Sequence, residues 1–302
     1  VTGAAPHRFD RLPGCFDLIV VDAPCSGEGM FRKDDHARLQ WSDALVKQCS
    51  TMQRDALHHA WASLKPGGLL VYSTCTWETS ENEAQVARLL ELGGSCIAIP
   101  VEPEWGVVRS SRDGVDALRC YPHRVRGEGF FIALVQKPGT RVPTPPASVL
   151  HVEHHAQPLG WLRPVRAWHT LEQGDELFAA DSDWIRILDQ LKAALPILGP
   201  GVPLAERKAD VWRPHAALAL AQDLDRTPFA QVQLDYDQAI AYLRGAALSA
   251  GGAHGTALAV HQGIALGWLQ GAGNRWNNRW PTPWRIRMQQ PVAPPVSWSR
   301  TT

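Results

Sequence analysis

Apolar positions come in short, dense runs along the first half of the chain. Phe16-Asp17-Leu18-Ile19-Val20-Val21-Asp22 is β-branched and nearly continuous in hydrophobicity, the pattern of a strand buried on both faces. It stops at Ala23-Pro24, because proline has no N–H to give to a ladder. A helical period then runs from about Ser42 to Leu64 and is closed by Lys65-Pro66-Gly67-Gly68. A second buried strand, Leu69-Leu70-Val71-Tyr72-Ser73-Thr74, follows at once. Ser80-Glu81-Asn82-Glu83 has capping-box spacing and predicts a helix to about Leu92. Gly129-Phe130-Phe131-Ile132-Ala133-Leu134-Val135 predicts a further strand. Strand, helix, strand, helix at these spacings predicts a mainly parallel, doubly wound α/β sheet.

The rhythm breaks after Lys137. Residues 138–149 hold four prolines and no period, which predicts a linker over 141–150. Beyond it the βαβ alternation is gone. Nine of the thirteen tryptophans lie there, among short runs that predict strands around a few helices. A division near residue 205 separates a small α+β module, 151–205, with a helix around Asp183–Leu195, from a β-rich module, 206–302. In the latter, Ala257-Leu258-Ala259-Val260 and Gly263-Ile264-Ala265-Leu266-Gly267-Trp268 predict a hairpin.

Composition narrows the class. At 302 residues with 45% hydrophobic content the chain has room for roughly two domains with ordinary cores, which excludes a mostly disordered protein. No run approaches the ~18 apolar residues of a membrane span, and no secretory leader is visible, so neither a membrane nor a secretory route is expected. Thirty basic residues balance thirty acidic ones, but unevenly. From residue 238 onward there is no Asp or Glu, while Arg244, Arg275, Arg279, Arg285, Arg287 and Arg300 remain, a bias that suits a polyanion. All six cysteines fall in the first 120 residues without a C-x-x-C, as expected for free thiols in a reducing cytoplasm.

Two loops carry candidate chemistry, each at the carboxyl end of a predicted parallel strand, where open α/β sheets place their ligands. One is Asp22-Ala23-Pro24-Cys25-Ser26-Gly27-Glu28-Gly29-Met30-Phe31-Arg32-Lys33; the other is Ser73-Thr74-Cys75-Thr76-Trp77. A strand-end Asp can bind the polar edge of a base, and a strand-end Cys can act as a nucleophile once its thiolate is favoured. Gly27 and Gly29 let the backbone pass close to a ligand, and Arg32 and Lys33 suit phosphate. Taken singly, such a Cys is most often a small apolar filler and a Gly-x-Gly only a turn. Two thiols on two strand-end loops, one beside a strand-end Asp, are a different matter.

These two motifs resemble signature motifs of RNA 5-methylcytosine methyltransferases of the Nol/Nop/Sun type, on the branch of bacterial ribosomal RNA methyltransferase F. Gln53-Arg54, Leu64-Lys65-Pro66-Gly67-Gly68, Glu81-Asn82-Glu83-Ala84 and Gly127-Glu128-Gly129-Phe130-Phe131 are similar as well. The stretch around Gly263-Ile264-Ala265-Leu266-Gly267 resembles that branch's PUA-like RNA-binding module. The resemblance implies an α/β fold: the C-terminal part of a Rossmann-like methyltransferase domain over 1–140, a linker, a small intermediate module and a PUA-like β module.

It also implies roles. Cys75 would add to carbon 6 of cytosine, so that carbon 5 can attack the methyl group of S-adenosylmethionine. Cys25 would assist breakdown of the adduct. Asp22 would hydrogen-bond the pyrimidine edge, and Asp22 with Pro24 would border the cofactor. Arg32 and Lys33 fall to RNA phosphates or the cofactor carboxylate. The implied substrate is RNA, foremost small-subunit (16S) ribosomal RNA, handled by a cytoplasmic monomer. Transfer RNA is the alternative substrate, and a catalytically incomplete RNA-binding protein is the alternative of a different class. The chain starts at Val1, downstream of the glycine-rich cofactor loop and ribose-binding acid that the resemblance implies, and Gly3–Phe9 supplies no acid before Asp10. Residues 1–302 alone are therefore expected to hold S-adenosylmethionine weakly.

Two further features were weighed. His151-Val152-Glu153-His154-His155 lacks the H-E-x-x-H order and a nearby cysteine, so no metal site is expected. Trp276, Trp280 and Trp284 interleave with Arg275, Arg279, Arg285 and Arg287. Their spacing of four fits a helix face packed on a core, and equally an RNA platform with arginines on phosphates and rings on bases. The lack of acids over this stretch tips the balance toward RNA.

Overall fold

The computed structural model describes residues 1–141 and 160–287. Nearly all of the linker expected over 141–150, the histidine cluster at 151–155, and Arg300 lie outside the described residues. The chain divides into two compact units, one built mainly on Thr2–Pro146 and the other mainly on Ala147–Asp189 and Leu198–Thr302.

The first unit holds β1 (Phe16–Asp22), α1 (Asp35–Gln40), α2 (Asp43–Ser63), β2 (Leu64–Thr74), α3 (Glu83–Glu91), β3 (Ser95–Cys96), β4 (Val108–Ser110), β5 (Ala117–Cys120) and β6 (Phe130–Gln136). Its sheet runs in the order β1-β2-β6-β5-β4, with β3 also on β6. Only β1 and β2 are parallel; β6 lies antiparallel to β2, as do the remaining pairs. The sheet is thus mixed rather than mainly parallel. Parallel pairing needs a crossover element on the face, and the single crossover here is α2.

α2 begins where Ser42 accepts a bond from the Leu45 N–H at 3.2 Å. Its buried residues Cys49, Gln53, Leu57 and Trp61 recur every four positions and so form one stripe. Leu57 and Trp61 join Leu70, Tyr72, Val86, Leu89, Phe131 and Val135 in one core. The helix end is closed from elsewhere: Lys137 Nζ donates to the carbonyls of Trp61 (2.6 Å) and Leu64 (2.7 Å). β1 departs from the expectation of burial on both faces. Ile19 and Val21 pack inward, whereas Leu18 and Val20, on the opposite face of this edge strand, are 54% and 62% exposed, because that face is left largely uncovered.

The capping box expected at Ser80–Glu83 does not form. Helix α3 starts at Glu83 with no side-chain cap. Glu83 instead turns inward to the guanidinium of Arg119 on β5 and to Ser110 Oγ (2.7 Å). Both partners of the ion pair are buried, and the Arg119 guanidinium also lies over the Phe131 ring.

The second unit contains β7 (Trp168–Gln173), β8 (Glu176–Asp181), α4 (Ser182–Ala194), β9 (Val202–Lys208), β10 (Val211–Pro214), β11 (Ala230–Gln233), α5 (Tyr236–Leu243), β12 (Leu248–Ala253), β13 (Thr256–His261), β14 (Ile264–Gly271) and β15 (Gly273–Asn278). One antiparallel sheet runs β10-β9-β8-β7; a second, mixed sheet runs β11-β13-β14-β15-β12, with β11 parallel to β13 and the other pairs antiparallel. The predicted hairpin is β13–β14, turned by Gln262 and Gly263, both at positive φ, which matches the right-handed twist of the strands. The division expected near residue 205 falls inside β9. One core cluster, including Leu177, Leu204, Leu218, Leu258 and Trp268, holds residues from both sides of it. Among the described residues no helix is long and apolar enough to cross a membrane.

The Glu83–Arg119 pair yields a stability prediction. Arg119→Ala would leave a carboxylate buried without its partner and is expected to cost about 3–5 kcal/mol in urea unfolding. Burial alone would raise the Glu83 carboxyl, but the bonds from Arg119 and Ser110 outweigh it and hold the group below its ordinary value. A lowered carboxyl contributes stability above its unfolded value, about 4.3, and loses it as pH falls through the folded one. The gap between wild type and Arg119→Ala should therefore be widest near neutrality and shrink below about pH 4.

Candidate active site

β1 and β2 pair in parallel with Asp22 opposite Ser73, so the chain leaves both strands side by side at the same end. This register brings together two loops that lie 50 residues apart in sequence. Cys25 Sγ and Cys75 Sγ are 3.1 Å apart, and the Cys75 N–H donates to Cys25 Sγ at 3.2 Å. Asp22 stands at the end of β1, exposed, its Oδ1 accepting from Ser73 Oγ at 2.9 Å.

Proton affinity divides unequally between the thiols. The hydrogen bond from Cys25 lowers Cys75 to about 7, against burial and the nearby carboxylates of Asp22 and Glu81, which raise it. Cys25 moves the other way, raised by the same bond and by burial. Of the two, Cys75 is the sulfur whose thiolate form is favoured toward neutral pH. A half-buried thiol at a strand end whose thiolate is favoured has the character that nucleophilic chemistry needs.

A buried polar network sits under the pair. Glu81 is fully buried, and its carboxylate accepts from Ser26 N (3.0 Å), Ser26 Oγ (2.5 Å) and Gln53 Nε2 (2.7 Å). Gln53 also donates to the Pro24 carbonyl at 2.9 Å. Asn82, equally buried, accepts from Thr74 Oγ1 (2.6 Å) and donates to the Thr76 carbonyl (3.0 Å), gripping the residues on either side of Cys75. Glu28 accepts from Thr76 Oγ1 (2.7 Å) and from the Trp77 N–H (2.9 Å). Arg119 donates to the Trp77 carbonyl at 3.0 Å, tying the same loop to β5.

Gly29 is the tightest point. Its N–H donates to the Cys75 carbonyl (2.8 Å) and its carbonyl accepts from Gly129 N–H (3.2 Å), so three backbones converge there. A Cβ on Gly29 would meet the Cys75 carbonyl oxygen at 2.7 Å, and the Gly129 carbonyl is closer still.

The other expected site residues are placed as follows. Asp22 and Pro24 border a cavity of about 500 Å³ beside β1, whose other walls are largely apolar, among them Phe9, Ile19 and Val21. An apolar wall with one carboxylate at its rim suits a nucleoside-bearing ligand. Arg32 donates to the Gly127 carbonyl (2.8 Å) and Glu128 (3.2 Å), which commits part of its guanidinium to the loop before β6; Lys33 is exposed.

In the second unit Arg275 and Arg287 are exposed, while Arg279 and Arg285 are half-buried. Trp276, Trp280 and Trp284 do not share a helix. Trp276 is on β15, and both it and Trp280 pack on the core around Tyr242; Trp284 is 44% exposed and meets Trp280 edge-on. Ser26, Gln53, Glu81, Asn82 and Glu28 carried no assigned role in the sequence reading. Their signal was three successive polar residues, 81–83, ahead of a helix whose first turn had to be buried. Among the described residues no group of three His, Cys, Asp or Glu side chains could hold a metal ion.

Comparison with known proteins fits this geometry. Residues 4–136 match the family model of the 16S rRNA methyltransferase RsmB/F, and residues 229–286 match that of the RsmF methyltransferase PUA domain. The chain is 32% identical over 273 residues to a ribosomal RNA small subunit methyltransferase F of Erwinia tasmaniensis, covering 81% of this chain and 55% of the relative. It is 31% identical over 313 residues to the protein of that name in Klebsiella pneumoniae, covering 93% and 62%. With that of Vibrio parahaemolyticus it shares 40% over 146 residues, covering 45% and 30%. The chain thus spans less than two thirds of the length of these relatives.

Two outcomes are expected. Alkylation of Cys75 by iodoacetamide, followed by mass spectrometry, should rise with pH around a midpoint near 7, and Cys25→Ala should move that midpoint upward by removing the hydrogen bond that lowers it. Gly29→Ala forces a methyl group against backbone and should cost about 1–3 kcal/mol in urea unfolding, with slower Cys75 alkylation at pH 7.

Proposed function

Residues 4–136 belong to the RsmB/F family of 16S rRNA methyltransferases and residues 229–286 to the RsmF PUA family, and from that membership we propose that the protein methylates carbon 5 of cytosine in RNA, foremost small-subunit ribosomal RNA, through a covalent Cys75 adduct. The observation that carries this reading is the sulfur pair: two thiols in contact at strand ends beside Asp22, with the Cys75 thiol lowered toward neutrality. Carbon 5 of cytosine is a poor nucleophile until something adds at carbon 6, so a poised thiolate answers the main chemical difficulty.

S-adenosylmethionine supplies the methyl group when bound, and Asp22 and Pro24 are this chain's residues assigned to it, since they border the cavity beside β1. The thiolate of Cys75 forms a bond to carbon 6, and the electron pair displaced from the ring double bond makes carbon 5 nucleophilic. Asp22 hydrogen-bonds the pyrimidine edge and favours the charge that accumulates on the ring during attack. After methyl transfer, which leaves S-adenosylhomocysteine, solvent water takes the carbon 5 proton; the C–H electron pair re-forms the ring double bond, and the bond from carbon 6 to sulfur breaks with its pair returning to Cys75 as thiolate. Cys25 assists here. Its S–H, within bonding distance of Cys75 Sγ, solvates the departing thiolate as it solvates the resting one.

The basic end of the chain completes the proposal. Arg275 and Arg287 are exposed and Trp284 is partly so, which suits phosphates and a stacked base; Arg279 and Arg285, half-buried, are assigned to RNA beside them, and Arg32 and Lys33 to RNA phosphates in the first unit. All six cysteines are free, consistent with a reducing cytoplasm, and a monomer is part of the same reading.

Substitution separates the roles of the two sulfurs. With RNA carrying 5-fluorocytosine, Cys75→Ala should form no denaturation-resistant adduct, whereas Cys25→Ala should accumulate adduct even on unmodified RNA. The reverse result, attack lost in Cys25→Ala and kept in Cys75→Ala, would overturn the assignment.

A further inference from the structure

Glu81 poses a question that the reaction itself leaves open. It is a carboxylate with no exposed surface, and the three donors that hold it, Ser26 N–H, Ser26 Oγ and Gln53 Nε2, are all neutral. Burying a charge against neutral partners costs desolvation that a neutral acceptor would largely avoid. What the carboxylate gains is reach. Oε2 accepts the Ser26 N–H and Oε1 its hydroxyl, so both oxygens clamp the residue that follows Cys25. Glu81 is itself fixed to β2, because its carbonyl accepts from Tyr72 OH at 2.6 Å, three residues before Cys75. One residue therefore spans the two thiol loops, anchored to the strand of one and closed on the backbone of the other.

We propose that Glu81 is a positioning residue that sets the contact between the two catalytic sulfurs, an inference that rests on the two-thiol reading above. It touches neither sulfur among the described contacts and acts through Ser26. Two effects of its removal on Cys75 oppose each other, and this makes the inference testable. The Glu81 charge by itself disfavours the Cys75 thiolate, whereas the Cys25 hydrogen bond favours it. Acting only as a charge, Glu81 when neutralised would make Cys75 more acidic. Acting by holding Cys25 in place, it would on removal make Cys75 less acidic.

The experiment is the pH dependence of Cys75 alkylation by iodoacetamide in the 302-residue chain, with Glu81→Gln, Glu81→Asp and Ser26→Ala beside wild type. Glu81→Gln should move the midpoint upward from near 7 toward the ordinary thiol value of about 8.5, slowing alkylation at pH 7 about tenfold. Glu81→Asp, which keeps the charge, should move it less. Ser26→Ala, which removes only the hydroxyl and spares the carboxylate, should shift it in the same upward direction. It decides the matter if Glu81→Gln fails to fold. A midpoint that stays near 7 or falls in the folded variants would overturn the proposal. Adduct trapping on 5-fluorocytosine RNA runs in parallel. Wild type that traps no adduct at saturating S-adenosylmethionine sinks the two-thiol reading alone, and a normal adduct with an unmoved midpoint in Glu81→Gln sinks this inference alone.

Discussion

Two sulfurs fifty residues apart in sequence can share one proton only if the backbones that carry them leave the sheet in parallel and at the same level. The β1–β2 register enforces that, with Asp22 opposite Ser73 and Ala23 N–H bonded to the Ser73 carbonyl at 2.9 Å. Everything chemically distinctive about the first unit descends from this one pairing. It sets Cys25 against Cys75, places Asp22 beside them, and leaves so little room between the loops that Gly29 can carry no side chain.

Holding that geometry uses groups that would otherwise serve the fold. Glu81, Asn82 and Glu83 stand where a helix would be capped, yet each turns elsewhere: Glu81 to the Cys25 loop, Asn82 to the residues flanking Cys75, Glu83 to Arg119. Helix α3 starts without a side-chain cap, a concession of about 1 kcal/mol by the usual measure of such caps. In exchange the loops rest on a buried network in which nearly every donor has an acceptor. Buried polar networks are favourable only when so satisfied.

Much of this was legible in the chain itself. The runs at 16–22 and 129–135 became β1 and β6 nearly residue for residue, because dense β-branched and aromatic segments bounded by Gly and Pro have few alternatives; the run at 69–74 became the second half of β2, which starts at Leu64 and takes in the Lys65–Gly68 stretch expected to close α2. That the two thiols and Asp22 stand at neighbouring strand ends was legible from their spacing in the sequence, and the thiols do meet. The orientation of β6 was not, since burial looks the same whichever way a strand runs. Nor was the exposed face of β1, because hydrophobicity tells what can be buried and is silent about which neighbour covers it. Ser80–Glu83 read as a capping box on local propensity, and tertiary demand overrode it. The tryptophans at 276, 280 and 284 show the same limit: a spacing of four fits a helix, but Trp276 lies on a strand and pairing decided the outcome.

The interval between the sulfurs begins just past the end of β1, returns through α2, and runs out again along β2, parallel to β1. Loop closure over that length is entropically costly, and the docked α2 and the β1–β2 pairing are what hold the two thiol loops together. The unusual acidity of Cys75 is then a property of the finished architecture and of nothing shorter. A nascent or partly unfolded chain would carry two ordinary thiols, which spares it a reactive nucleophile until the groove that disciplines it exists.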